Sequence, residues 1–122
     1  MKKTEENKMK FVINDCFGGY ELSQDFLDKY GEELSVLKRN NPKLVSAVEE
    51  FGEDKASGFC ANLRIVEIPD DYTDYYINEY DGAETLIYVR DGKLHWAQRS
   101  LQQSLKFVKI GNKSGIRQMN GG

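Results

Sequence analysis

The sequence predicts an α+β fold in which helices pack on one face of a mainly antiparallel sheet. Three observations carry that expectation. After one early apolar run, the first half of the chain has helix-type spacing framed by helix caps. The second half alternates with the period of a strand. Two Asp-Gly pairs, Asp81-Gly82 and Asp91-Gly92, fall between aromatic and β-branched runs, where tight hairpin turns belong. At 122 residues the chain has room for one core, burying about two-thirds of its unfolded surface. Two prolines and 39% hydrophobic residues exclude a collagen-like or proline-rich chain and argue against disorder along its length.

Each element has a local reason. Residues 1–7 are polar and are expected to be disordered; residues 8–110 form one domain. Residues 8–15 read as a strand, and the unbroken run Phe11-Val12-Ile13 requires cover on both faces. Gly18-Gly19 breaks the chain. Ser23 is the N-cap of a helix to about residue 29, with Phe26, Leu27 and Tyr30 on its apolar stripe and Gly31 beyond its end. Residues 32–39 keep helical spacing through Leu34 and Leu37 until Asn40-Asn41-Pro42 stops it. Asn41 as cap and Pro42 as first residue open the clearest helix, with Leu44, Val45, Val48 and Phe51 inward and Gly52 as terminator. Residues 53–58 read as a polar connection. Residues 62–68, 75–80, 85–90 and 93–99 read as strands. A last run, residues 105–110, is a strand or an arm onto a partner, and residues 111–122 form a flexible tail.

Charge divides the chain more sharply than its net value of -3 suggests. Residues 1–10 carry four basic and two acidic groups (+2), residues 11–84 six and seventeen (-11), and residues 85–122 seven and one (+6). No apolar run is long enough to cross a membrane, and no secretory leader is expected. Cys16 and Cys60 are expected as free thiols in small buried positions in a reducing cytoplasm. One histidine, His95, and the lack of CxxC or HxxxH spacing leave no recognisable metal site, so neither metal nor cofactor is expected.

Three candidate sites follow. The strand-turn-helix passage holding Cys16, Gly18, Gly19 and Ser23 can cradle an anion on exposed N–H groups at a helix start. It matches neither a P-loop nor a dinucleotide fingerprint, and Asp15 and Glu21 repel phosphate; the alternative is that the glycines only turn the chain. The tyrosine-rich acidic stretch offers Asp70, Asp71, Tyr72, Asp74, Tyr76, Glu79, Tyr80, Asp81 and Glu84 to a basic partner. On a strand, Tyr76, Asn78 and Tyr80 share one face and Tyr75, Ile77 and Glu79 the other; the alternative is a sheet whose tyrosines edge the core. The basic tail, Arg99, Lys106, Lys109, Lys113 and Arg117 with Arg90 and Lys93, fits nucleic acid, an anionic ligand, the acidic body, or an acidic neighbour in a homo-oligomer. Carboxylate pairs such as Glu79 with Asp81 give no reason for a shifted pKa. His95 beside Trp96 reads as structural, and nothing in the sequence brings it to Cys16.

The run Phe11-Val12-Ile13-Asn14-x-Cys16-Phe17-Gly18-Gly19-Tyr20-x-Leu22-Ser23 resembles the N-terminal signature of a family of small proteins encoded by bacteriophages and prophages. Val48-Glu49-Glu50-Phe51-Gly52, Ala56-Ser57-Gly58, Leu63-Arg64-Ile65-Val66-Glu67-Ile68-Pro69-Asp70 and Glu79-Tyr80-Asp81-Gly82-x-Glu84 are similar too. The resemblance covers about residues 9–96. It departs where Trp96 directly follows His95 and a basic extension continues. It implies viral origin and the cytoplasm of a host cell; the family has no assigned reaction, so it supplies no functional residues. The expected function is a non-enzymatic accessory protein that binds a host component, a counter-defence factor or a DNA mimic. The alternative is a small-ligand binder holding a nucleotide or another phosphate-bearing molecule at Gly18-Gly19 and the Ser23 helix start.

Overall fold

The structure, a computed structural model, describes residues 7–100. Residues 1–6, the apolar run at 105–110, the tail at 111–122 and the basic residues Lys106, Lys109, Lys113 and Arg117 lie outside the described residues.

The fold is α+β and has three layers. β1 (Lys8–Asn14) pairs antiparallel with β2 (Leu63–Pro69), from Lys8↔Pro69 to Asn14↔Leu63, and the two-residue β6 (Gln98–Arg99) pairs on the far side of β2. A second antiparallel sheet is the meander β3 (Asp74–Tyr80), β4 (Ala83–Arg90), β5 (Lys93–Trp96). The apolar run in β1 has the two-faced cover its composition requires. Val12 packs with Leu63 and Ile65 against Phe26, Leu34, Leu44 and Val48 of the helical layer. Phe11 and Ile13 pack with Val66 and Ile68 against Leu86, Tyr75 and Ile77 of the second sheet. β1 is central among the layers, yet it is the edge strand of its own sheet.

The helical layer follows its caps. α1 (Gln24–Tyr30) starts where the Ser23 hydroxyl accepts the Phe26 N–H at 3.2 Å. α2 (Pro42–Phe51) starts where the Asn41 side chain accepts the Lys43 N–H at 2.9 Å, and it buries Leu44, Val45, Ala47 and Val48. Residues 32–39 depart from the expected helix. Glu32–Val36 is a single 3-10 turn, and Leu37 is already extended. The Arg39 carbonyl accepts the Val12 N–H at 2.9 Å, so this segment serves the edge of β1 instead of continuing a helix. The polar connection after Gly52 contains a short helix, α3 (Glu53–Ala56). Its Glu53 carboxylate accepts the Ile65 N–H at 2.8 Å and holds Arg99 at 2.8 Å.

Both Asp-Gly turns adopt the left-handed geometry that two-residue hairpins need, Asp81 and Gly82 at φ 51° and 92°, Asp91 and Gly92 at 55° and 73°. The expected strand at 93–99 is divided. Lys93–Trp96 belongs to the second sheet, and the Ala97 N–H still bonds Leu86. Gln98 and Arg99 then cross to the first sheet, and the Ser100 N–H bonds Ile65. Among the described residues no helix is long and apolar enough to cross a membrane.

Candidate binding surface

The register of the second sheet decides which of its aromatic side chains face outward. Tyr75, Tyr88 and His95 form one cross-strand row, and Ile77 pairs with Leu86; both pack inward. His95 stacks on Tyr88 with ring centres 5.1 Å apart, so it is a packing residue of this layer. The alternate positions face away. Tyr76, Ile87 and Trp96 form a row across all three strands, Asp74, Val89 and Leu94 a second, and Tyr80 pairs with Ala83 nearer the turn. Tyr76 is 44% exposed, Tyr80 71%, Leu94 53% and Trp96 57%, whereas Ile87 between its neighbours is 8% exposed. The Phe17 ring, 64% exposed, meets Tyr80 edge-on at 6.3 Å and extends the surface past the hairpin end. Four large apolar side chains on one outer face are more than scattered exposure requires.

The acids of this stretch have separate fates. Asp74 lies on the outer face, and its carboxylate accepts the Tyr75 N–H. Asp70 and Asp81 are exposed, and Asp71 is paired with Arg90 at 3.2 Å. Glu79 closes the hairpin by accepting the Gly82 N–H. Tyr72 is half-buried, edge-on to Tyr75 at 5.4 Å. Glu84 does not belong to the exposed surface: it is inward and 8% exposed. Its two oxygens take Arg39 at 2.6 and 2.9 Å, and one also accepts the Asn14 N–H at 2.8 Å. The signal was present in β4, where Glu84 shares the inward face with Leu86 and Tyr88.

Arg39 and Asn14, which sequence reasoning did not single out, hold Glu84 and the turn beside the surface. The Arg39 guanidinium carbon lies 3.4 Å from the centre of the Tyr20 ring. Burial raises the Tyr20 phenol pKa, an effect opposed by Arg39 and reinforced by Glu84. Asn14, fully buried, donates to the carbonyls of Cys16 and Gly82, each at 2.8 Å, and accepts the Asn62 N–H at 2.7 Å. The Gly18 N–H bonds the Asp81 carbonyl at 3.0 Å. These contacts seat the Asp81-Gly82 turn, and with it one end of the aromatic surface, on β1.

The Gly18-Gly19 turn is shaped by the same approach. A Cβ on Gly18 would lie 2.7 Å from the Cys60 Cβ, and one on Gly82 would strike the Gly19 nitrogen. Ser23 stands apart from the glycines, on an open cleft of about 550 Å³ between Tyr20, Leu27, Ser57 and Phe59. Among the described residues that line the cleft Glu21 is the only charged one, and the Ser23 hydroxyl donates to the Lys55 carbonyl. Cys16 is half-buried and Cys60 exposed, against the expectation that both are buried. Residues 58–61 close a surface turn, Ala61 N–H to Gly58, which holds Cys60 outside the core. Arg99 is committed to Glu53. Among the described residues no group of His, Cys, Asp and Glu could hold a metal ion. No protein-family model, curated protein or solved structure matches the chain.

Proposed function

We propose that this chain is a non-enzymatic accessory protein of a phage or prophage, and that it binds a host protein through the outer face of its second sheet. The observation that carries the reading is the exposed row Tyr76–Ile87–Trp96, with Tyr80 and Leu94 beside it. Tyrosine and tryptophan give large contact areas at low cost in side-chain entropy, which suits a docking surface. The partner is apolar at its centre and basic at its rim, because Asp74 lies on the face, Asp81 sits in the hairpin turn at its end, and residues 11–84 carry -11. β3 is also the edge strand of its sheet, so a partner strand can reach its main chain as well as its side chains. The resemblance of residues 9–96 to phage and prophage proteins supports a host-cell partner and a counter-defence role.

Capture from host lysate tests the reading. The wild-type chain should retain a protein that Tyr76→Ala/Trp96→Ala loses, and added salt should weaken that capture. Equal capture by both chains, or no partner at any ionic strength, would sink the proposal. The competing reading, a nucleotide at the Gly18-Gly19 turn, requires a thermal shift on nucleotide addition. Ligand at 100 times its dissociation constant adds ~2.7 kcal/mol of stability.

A further inference from the structure

Apart from the aromatic face of the second sheet, the fold leaves a cleft of about 550 Å³ between α1 and the turn that leads from α3 into β2. Residues 20–27 give it the apolar bodies of Tyr20 and Leu27, and the turn gives it Phe59. Phe59 is 98% exposed, so its whole ring stands in water at the rim, where a seated chain would cover it. Glu21 adds a negative charge to the same wall.

The direction in which the chain leaves the first sheet aims it at this cleft. β6 runs antiparallel to β2, from Glu67↔Gln98 to Val66↔Arg99, and the Ser100 N–H bonds the Ile65 carbonyl. Each step past Gln98 therefore lies nearer the start of β2 at Leu63. The Ile65 N–H, which would bond the Ser100 carbonyl were the ladder to continue, is taken by Glu53 of α3. The chain thus parts from β2 beside α3. That helix is capped at its end by Ser57, whose hydroxyl accepts the Leu63 N–H at 2.8 Å, so the cleft wall touches the start of β2. Leu63 is roughly 7 Å along β2 from Ile65, whereas the five steps from Ser100 to Leu105 reach ~17 Å when extended. A tether of residues 101–104 is long enough to bring Leu105 to Ser57 with slack.

We propose that the cleft is the seat of this chain's own residues 105–110. Leu105, Phe107, Val108 and Ile110 supply apolar side chains for Tyr20, Leu27 and Phe59, and Lys106 and Lys109 supply charge for Glu21. Residues 101–122 carry four basic and no acidic side chains against the -11 of residues 11–84, so attraction between tail and body is built into the chain. The short tether also decides between this copy and another. It presents the segment at an effective concentration on the order of millimolar, which a second copy at micromolar concentration does not match.

Photo-cross-linking of the full chain, with no partner added, tests this, so its failure and that of the host-binding reading are distinguishable. Chain carrying p-benzoylphenylalanine in place of Phe107 should, on irradiation, remain a monomer with position 107 joined to peptides of residues 20–27 or 57–59. Glu21→Lys/Phe59→Ala should lower that yield severalfold; both side chains are exposed, so the core is untouched. Cross-links between two chains would overturn the proposal in favour of a second copy. Cross-links to Tyr76 or Trp96, none to the cleft, or a yield indifferent to the double substitution would overturn it as well.

Discussion

Arg39 and Glu84 are 45 positions apart and form a bidentate pair in which Glu84 is nearly sealed from water. Breaking such a pair leaves one charge without its partner in a poorly solvated place. The Arg39 side chain is 24% exposed, so Arg39→Ala should cost about 3 kcal/mol, the low end for a buried pair, in urea unfolding. Glu84→Gln removes the ionic attraction but keeps an acceptor for Asn14, so it should cost less than Glu84→Ala. This pair was not legible in the sequence, because nothing within a few residues of either member indicates the other. Tyr30 makes a different prediction. Loss of water around its half-buried phenol, then its 2.7 Å hydrogen bond to Glu50, pushes its pKa from 10.0 up to about 12. The folded state favours the neutral phenol, so the contribution is complete below pH 10.0 and is lost as pH rises through about 12. Unfolding experiments across that range should show the decline in the wild type and a shallower one in Tyr30→Phe.

Elements were legible where their causes are local. The caps at Ser23 and Asn41, the glycine stops and the two Asp-Gly turns each depend on a few consecutive residues, and the structure has all of them. Asn41→Ala should therefore cost about 1 kcal/mol through the lost Lys43 N–H bond. The two hairpin glycines look equivalent in sequence and are not equivalent in space. Gly92 has open space where a Cβ would stand, so Gly92→Ala should cost only the left-handed strain of about 1–2 kcal/mol. Gly82 lies against the Gly18 and Gly19 nitrogens. Gly82→Ala should cost clearly more, on the order of 3 kcal/mol, because main chain must move as well. Thermal unfolding of the two variants side by side makes the comparison. The 3-10 turn at Glu32–Val36 was not legible, since the bond that ends the helical path is made to Val12, far away in sequence.

For the whole molecule, the α+β class was readable from pattern, but the division of the strands into two sheets was not. Alternation says which side chains share a face and does not say which sheet a strand joins. Within β3 the alternation correctly set Tyr76 and Tyr80 on one face and Tyr75 on the other. Tyr72, expected with the exposed set, packs on Tyr75, and Glu84 was placed outside because its acidic neighbours outweighed its register. The run from Lys93 to Arg99 has a consequence in time. The β3–β4–β5 meander closes with short hairpins, whereas β1 waits for a partner some fifty residues later and the first sheet is complete only when Gln98 and Arg99 reach β2. Contacts between distant parts of the chain form slowly. In pulsed hydrogen exchange during refolding, amides of β4 should gain protection before those of β1, and a chain ending at Trp96 should hold its hairpins while its first sheet exchanges freely.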